Sequence, residues 1–344
     1  MSLLTYLQAV PKVELHVHLE GAIQPRTLLT IARRNHVSLP ADSIDGLRRW
    51  FTFQSFAQFV DVYVAVTRCL RTAQDYELIV YEFAEELARQ NVRYAEVTFS
   101  PGTHFRLGVA HDVYFLGLSR GRKRAQADFD ITLNWVFDIV RDADARLADY
   151  TTRVAIEGKN DGVVALGLGG FELGHPPETF ARYFDIVLAA GLHSAPHAGE
   201  TAGPSSVWGA LRALGAERIG HGVRAAEDPA LIAYLVEHAV PLEVCPTGNI
   251  RLGVYPTFAT HPLRRLQGAG ITVTINSDDP VLFNTTLNEE VALLAGQFNF
   301  DVKAINNILL NAVRNCFQPS EQKRALETAF RAQYDKLWAQ HSPK

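Results

Sequence analysis

Val13-Glu14-Leu15-His16-Val17-His18-Leu19-Glu20-Gly21 is the stretch from which the rest of this chain can be read. It is a short apolar run that ends in two histidines spaced two apart. Read as a β-strand, its side chains alternate between faces, so His16 and His18 point the same way and can grip one metal ion, with Gly21 ending the strand. A His-x-His pair alone serves equally as a surface or packing pair. Its meaning therefore rests on what recurs further along.

Comparable β-like runs recur at residues 13–18, 92–99, 131–137, 163–168, 192–197, 218–221, 242–245 and 272–277. Helical stripes separate them, such as Tyr76, Ile79, Val80, Phe83 and Leu87, or Leu287, Val291 and Leu294. Strand–helix alternation over eight strands predicts parallel pairing and a closed (β/α)8 TIM barrel. The length beyond a minimal barrel falls in extra helices over residues 25–89, between strands one and two, and in a C-terminal helical tail over 287–344. No linker, repeat or low-complexity tract divides the chain, so residues 1–344 are expected to form one barrel domain. Phe51, Phe53, Phe56 and Phe59 read as the core of a helical pair, with some of them as an apolar lid over the barrel mouth.

The composition bounds the function. With 344 residues, 47% hydrophobic and 20% charged, the chain has the makeup of a globular protein able to bury a large core. A formal charge of -4 gives no electrostatic footprint for nucleic acid, and no apolar run is long enough for a membrane span. The first ten residues lack a basic leader, the first expected strand follows almost at once, and a cleaved signal peptide would remove part of the chemistry, so a cytoplasmic protein is expected. Cys69, Cys245 and Cys316 stand far apart with no Cys-x-x-Cys, which argues against a disulfide framework or a thiolate zinc site. Cys69 and Cys245 read as buried structural thiols.

The polar residues fall at the ends of the expected strands. His16 and His18 end the first. His197 ends the fifth, in Pro196-His197-Ala198-Gly199-Glu200, and His221 the sixth, in Gly220-His221-Gly222. Asp278 and Asp279 end the eighth, in Asn276-Ser277-Asp278-Asp279-Pro280. Barrel enzymes draw their functional groups from the C-terminal ends of several strands. His16, His18, His197 and Asp278 make a nitrogen/oxygen set suited to one zinc ion with a position left for water, whose pKa zinc can lower to about 7. Glu200, three residues past His197, can face a substrate without binding metal, and His221 and Asp279 reach the same cavity. Such parts suit hydrolysis at an electron-poor carbon. Singly, Asp278-Asp279-Pro280 reads equally as a turn, and His221 as a turn residue between glycines. His36, His104, His111, His175, His193, His238, His261 and His341 lack this placement and read as surface or structural residues.

Together, the run from Pro11 to Gly21, His197-Ala198-Gly199-Glu200, His221-Gly222 and Ser277-Asp278-Asp279-Pro280 resemble the adenosine/adenine deaminase family of the amidohydrolase superfamily across nearly the whole chain. The resemblance implies a (β/α)8 barrel with a single catalytic zinc on His16, His18, His197 and Asp278. It further implies that Glu200 protonates purine N1, that His221 orients the attacking water, and that Asp279 holds N7. Gly170 would meet N3 through its backbone N–H, and His18 and Glu20 would lie on the substrate side. The reaction implied is hydrolytic deamination of a small purine to the 6-oxopurine and ammonia.

Departures from the family pattern bear on the substrate. Glu20 stands where adenosine deaminases have Asp, as in adenine deaminases. Gly169-Gly170-Phe171-Glu172 matches neither the Gly-Asp-Glu of adenosine deaminases nor the Asp-Ser-Ser-Glu of adenine deaminases. An aromatic Phe171 in place of a polar sugar contact suits a nucleoside with an apolar group at its 5′ end, a feature of the aminodeoxyfutalosine deaminase branch. Adenosine and a 5′-modified relative such as aminodeoxyfutalosine both remain open, with free adenine as the alternative. For adenine, Glu20 and Glu172 are expected to close the space where ribose would sit.

Four other readings are weaker. Gly167-Leu168-Gly169 begins like a dinucleotide fingerprint, but Glu172 stands where Gly or Ala is needed. Cys245-Pro246-Thr247 lacks the second cysteine of cytidine-type deaminases. No lysine in 167–172 is available to bridge two metals. A non-catalytic relative would be expected to have lost a ligand or the acid.

Overall fold

In the computed structural model, which describes residues 2–53 and 55–341, residues 12–18 form a strand buried along its full length; it ends at His18 rather than at Gly21, because Glu20–Ala22 turn into a short 3-10 helix. Alternation on β1 (Lys12–His18) sorts polar from apolar side chains without exposing either, as in parallel sheets covered on both faces. Lys12 shows what burial demands. Its ammonium donates to the carbonyls of Gln8, Val10 and Gln90, and burial lowers its pKa to about 7.

The strands that follow are β2 (Val92–Phe99), β3 (Thr132–Val140), β4 (Val163–Gly169), β5 (His193–Ser194), β6 (His197–Ala198), β7 (Ile219–His221), β8 (Leu242–Val244) and β9 (Val273–Ile275). All pairings are parallel, β1 through β5 in one sheet and β6 through β9 in a second. The expected fifth strand is thus two pieces. β5 pairs with β4 and β6 with β7. The break falls at Ala195-Pro196, because proline has no N–H to give a ladder. A parallel bridge between Val17 and Asp278 joins the last strand to the first. The architecture is the eight-staved α/β barrel expected from the sequence, with β5 and β6 as halves of one stave.

The two regions of extra length are helical. Helices Pro25–Arg34, Ile44–Trp50, Phe56–Thr67 and Ala73–Arg89 fill the first. In Ala73–Arg89, a capping box between Thr72 and Asp75 fixes the start, and Tyr76, Ile79, Val80, Phe83 and Leu87 form the buried face. Helices Leu287–Gly296, Val302–Asn315 and Ser320–His341 form the tail, where the Tyr334 hydroxyl donates to the Pro11 carbonyl under β1. The three cysteines are free and buried. Among the described residues, no helix is long and apolar enough to cross a membrane.

Candidate active site

β1, β6, β7 and the segment after β9 end at the same mouth of the barrel, which gathers the predicted polar residues. The His18 and His197 Nε2 atoms lie 3.2 Å apart. Asp278 Oδ1 is 3.5 Å from Nε2 of both His16 and His18. The ligand atoms that all lie within 4.8 Å of one another divide differently from the expected quartet: those of His16, His197, His221 and Asp278 form one group, and those of His18, Asp278 and Asp279 another.

This arrangement fits a cation. Burial opposes charge on His16, yet Asp278 and Glu243 outweigh it and raise the ring to about pKa 10. Burial pushes His18 down to about 4 and His197 well below its usual range, so both offer lone pairs at neutral pH. Two imidazole nitrogens 3.2 Å apart match an edge of a tetrahedron, roughly 3.3 Å for metal–nitrogen distances of about 2.0–2.1 Å. His16 Nε2 is buried without a hydrogen-bond partner.

Backbone geometry aims these groups. Asp278 has φ +63° and His221 φ +60°, left-handed conformations that cost about 1–3 kcal/mol outside glycine. Asp278 is held there by two bonds to β1, its N–H to the His16 carbonyl (3.1 Å) and its carbonyl from the His18 N–H (2.7 Å). Behind the cluster, His16 Nδ1 meets Glu243 at 3.0 Å, and Arg218 ties Glu243 to Glu96. A carboxylate on the far nitrogen fixes a ligand imidazole's orientation.

Glu200 is buried, with Oε1 unpartnered and 3.7 Å from His221 Nε2. Burial, then the charges of Asp278 and Glu172, raise its pKa well above the usual carboxylate range. Burial and Asp278 do the same to Asp279. The loop carrying Glu200 is held by Glu172, whose carboxylate accepts from the N–H groups of Gly199 (2.7 Å), Glu200 (3.0 Å), Thr201 (2.6 Å) and Ala202 (2.8 Å). It also accepts from the hydroxyls of Ser206 (2.7 Å) and Thr201 (3.3 Å).

A cavity opens above this cluster. His18, Gly170, His197, Glu200, His221, Asp278 and Asp279 line it together with Phe56, Phe59, Val60, Tyr63, Val64 and Leu252. Both readings of the early phenylalanines thus hold in part. Phe51 is buried in the core, and Phe53 packs partly buried against it, whereas Phe56 and Phe59 also face the cavity.

Two residues expected on the substrate side stand off the wall. Glu20 is fully buried, its carboxylate accepting from the Ser100 N–H at 3.3 Å and lying 2.9 Å from His104 Nε2. Phe171 meets the wall at one remove, edge to face with Phe56 at 5.0 Å. Nor does Glu172 close the sugar space, being engaged with the 199–202 loop.

Several residues escaped the sequence reading. Asp138 lines the cavity and fits because Gly167 and Gly169 on the adjoining strand lack side chains: a Cβ at either would come within 2.3 Å of its carboxylate. Burial raises Asp138 to about pKa 8. Its signal was an Asp one residue past the predicted end of strand three, at 137, where the strand runs on to Val140. His104 and His261, read as surface or structural, are both buried and structural, His104 holding Glu20 and His261 holding Asn249. Tyr63 carried no signal beyond its apolar neighbours.

The family described as adenosine deaminase matches residues 11–332. The chain is 44% identical over 316 residues to the aminodeoxyfutalosine deaminase of Streptomyces avermitilis, covering 91% of this chain and 88% of that protein. The adenine deaminase of Arthrobacter aurescens superposes with a TM-score of 0.90 at 31% identity, over 95% of this chain and 100% of that one. An amidohydrolase of Burkholderia ambifaria solved with bound zinc gives a TM-score of 0.90 at 27% identity, over 99% and 95% of the two chains.

Proposed function

Because the chain belongs to the adenosine deaminase family and is a hydrolytic deaminase, we propose that it removes the 6-amino group of a purine nucleoside carrying an apolar 5′ extension, as in aminodeoxyfutalosine. The observation that carries this reading is the cavity wall. Past the histidine cluster, Phe56, Phe59, Val60, Val64 and Leu252 present an apolar surface, and Phe171 backs Phe56. The 44% identity to an aminodeoxyfutalosine deaminase supports the same choice over adenosine. Free adenine is favoured by the fold likeness to an adenine deaminase, but neither carboxylate that would fill the ribose space lines the cavity.

His16, His18, His197 and Asp278 would hold one zinc ion per chain. When bound, zinc supplies Lewis acidity and makes water a nucleophile at neutral pH. Glu200, buried and holding its proton, gives it to purine N1, which breaks the ring's aromaticity and makes C6 accept the oxygen. His221 stabilises the charge developing on that oxygen. Asp279, kept protonated by burial, donates to N7, and the Gly170 N–H, presented by a left-handed turn at φ +86°, meets N3. Apolar residues over the mouth keep out bulk water. The C–N bond at C6 then breaks as the added oxygen's remaining proton passes to the amine, which leaves as ammonia; the 6-oxopurine keeps the N1 proton, and Glu200 is restored by the other proton of the water. The free, buried cysteines suit a reducing, cytoplasmic setting.

The test is ammonia release by zinc-loaded protein from aminodeoxyfutalosine, adenosine and adenine, side by side. A higher kcat/KM for the extended nucleoside is expected. Preference for adenine would overturn the substrate reading, and silence on all three would overturn the purine reading.

A further inference from the structure

The hydrogen bonds behind His221 determine which of its nitrogens carries the proton. The series begins at a donor whose direction is not in question. The backbone N–H of Leu263 lies 3.2 Å from His261 Nδ1, so Nδ1 accepts, and the neutral ring carries its hydrogen on Nε2. Burial keeps this ring neutral, lowering it to about pKa 4. His261 Nε2 lies 3.0 Å from Asn249 Oδ1 and donates to it. An amide has only one oxygen, so the end of Asn249 that faces His221 is Nδ2, which can only donate. It lies 3.2 Å from His221 Nδ1. That nitrogen must therefore offer its lone pair, which leaves the hydrogen on Nε2.

We propose that Asn249 and His261 are positioning residues that fix His221 as the Nε2–H tautomer, with that N–H directed into the cavity. The supports are rigid. Asn249 is fully buried, its N–H bonded to the Cys245 carbonyl at 3.0 Å. The His261 ring is packed between Tyr255 and Phe298, at 5.2 and 5.6 Å.

Two consequences follow. His221 lies within reach of the metal-site cluster, but an Nε2 that holds hydrogen has no lone pair for a metal, and His18 takes that place. The same N–H, 3.7 Å from Glu200 Oε1, is a ready donor to an oxygen gaining charge between them. Only this kinetic consequence rests on the deamination reading. The tautomer belongs to the ring and can be measured without substrate.

The experiment is 15N NMR of histidine-labelled, zinc-loaded enzyme, with the His221 ring assigned by its loss in His221→Gln. His221 is expected to show an unprotonated Nδ1 and a protonated Nε2. In Asn249→Asp the carboxylate can only accept, so Nδ1 is expected to gain the proton. Its kcat is expected to fall by about 10^2- to 10^4-fold, as when a catalytic imidazole is held in the wrong tautomer, while KM changes by less than about threefold. His261→Gln keeps an amide donor toward Asn249 and is expected to retain both the tautomer and activity to within about tenfold. A protonated Nδ1 in the wild-type enzyme overturns the proposal, as does an unprotonated Nδ1 in folded Asn249→Asp. If Asn249→Asp does not fold, the wild-type and His261→Gln spectra decide. A correct tautomer in an enzyme silent on purines would uphold the relay and refute only the substrate reading.

Discussion

The two sheets of the barrel divide its labour. β1 to β4 are seven to nine residues long and pair in extended register. β6 to β9 are two or three residues each. The long half builds the core and one cavity wall, to which it gives Asp138 and Gly170. The short half carries His197, Glu200, His221, Asp278 and Asp279 on segments that leave β geometry almost at once, with left-handed backbone at Gly199, His221, Gly222 and Asp278. Extended ladders fix position well but direct side chains only up or down. The short half gives up ladder for direction and regains order from Glu172, Asn249 and the bridge to β1. β1 belongs to both halves.

Breaking the junction between the halves should have the largest effect. His16→Ala removes the imidazole that links Asp278 to Glu243. Loss of bound metal on dialysis and of essentially all activity is expected, on the order of 10^3-fold or more. Full zinc occupancy in the dialysed variant would show that the ion sits elsewhere. Next comes Glu200→Gln, which keeps shape and metal but has no acid to give. A kcat lower by about 10^2- to 10^4-fold is expected, with zinc content unchanged. An unaltered kcat would remove Glu200 from the chemistry.

A smaller effect is expected from Glu172→Gln, which tests how the short half is held. The amide has one acceptor oxygen for donors now served by two, so a stability loss of about 1–3 kcal/mol is expected in denaturant titration. The variant also removes a negative charge that helps raise Glu200. Glu200 would then release its proton at lower pH, and the alkaline limb of kcat/KM should move toward acid. A limb that stays put while stability falls would reduce Glu172 to a structural tie.

The long half was the more legible from sequence. Val92–Phe99 was read to its exact ends in composition and spacing, because β-branched and aromatic runs report their own local preference. The short strands, two or three residues each, were visible mainly through what stands at their ends. The break at Pro196 was readable in principle from the missing N–H. The histidine–aspartate cluster was legible because His-x-His and His-Ala-Gly-Glu carry their spacing in the chain. Glu243, Asn249 and His261 were not, since each acts only through a partner 12 or more residues away. Glu20 misled because a carboxylate two residues past His18 turns instead to His104, 84 residues on.

The smallest effect expected comes from Phe171→Asp, on the loop that follows β4 and carries Glu172, the tie to the short half. Phe171 is half-buried and touches Phe56 edge to face, a contact worth about 0.5–1.5 kcal/mol. Its neighbour Glu172 is held by six hydrogen bonds, so the substitution should leave Glu200 where it is. The change then reaches the substrate only through Phe56. Replacing the ring with a carboxylate should lower the ratio of kcat/KM for an apolar 5′-extended nucleoside over adenosine by about twofold to tenfold, with most of the loss in KM. A ratio that does not move would mean that Phe171 only packs Phe56 against the loop, and that specificity at the 5′ end is set by the long helical insertion alone.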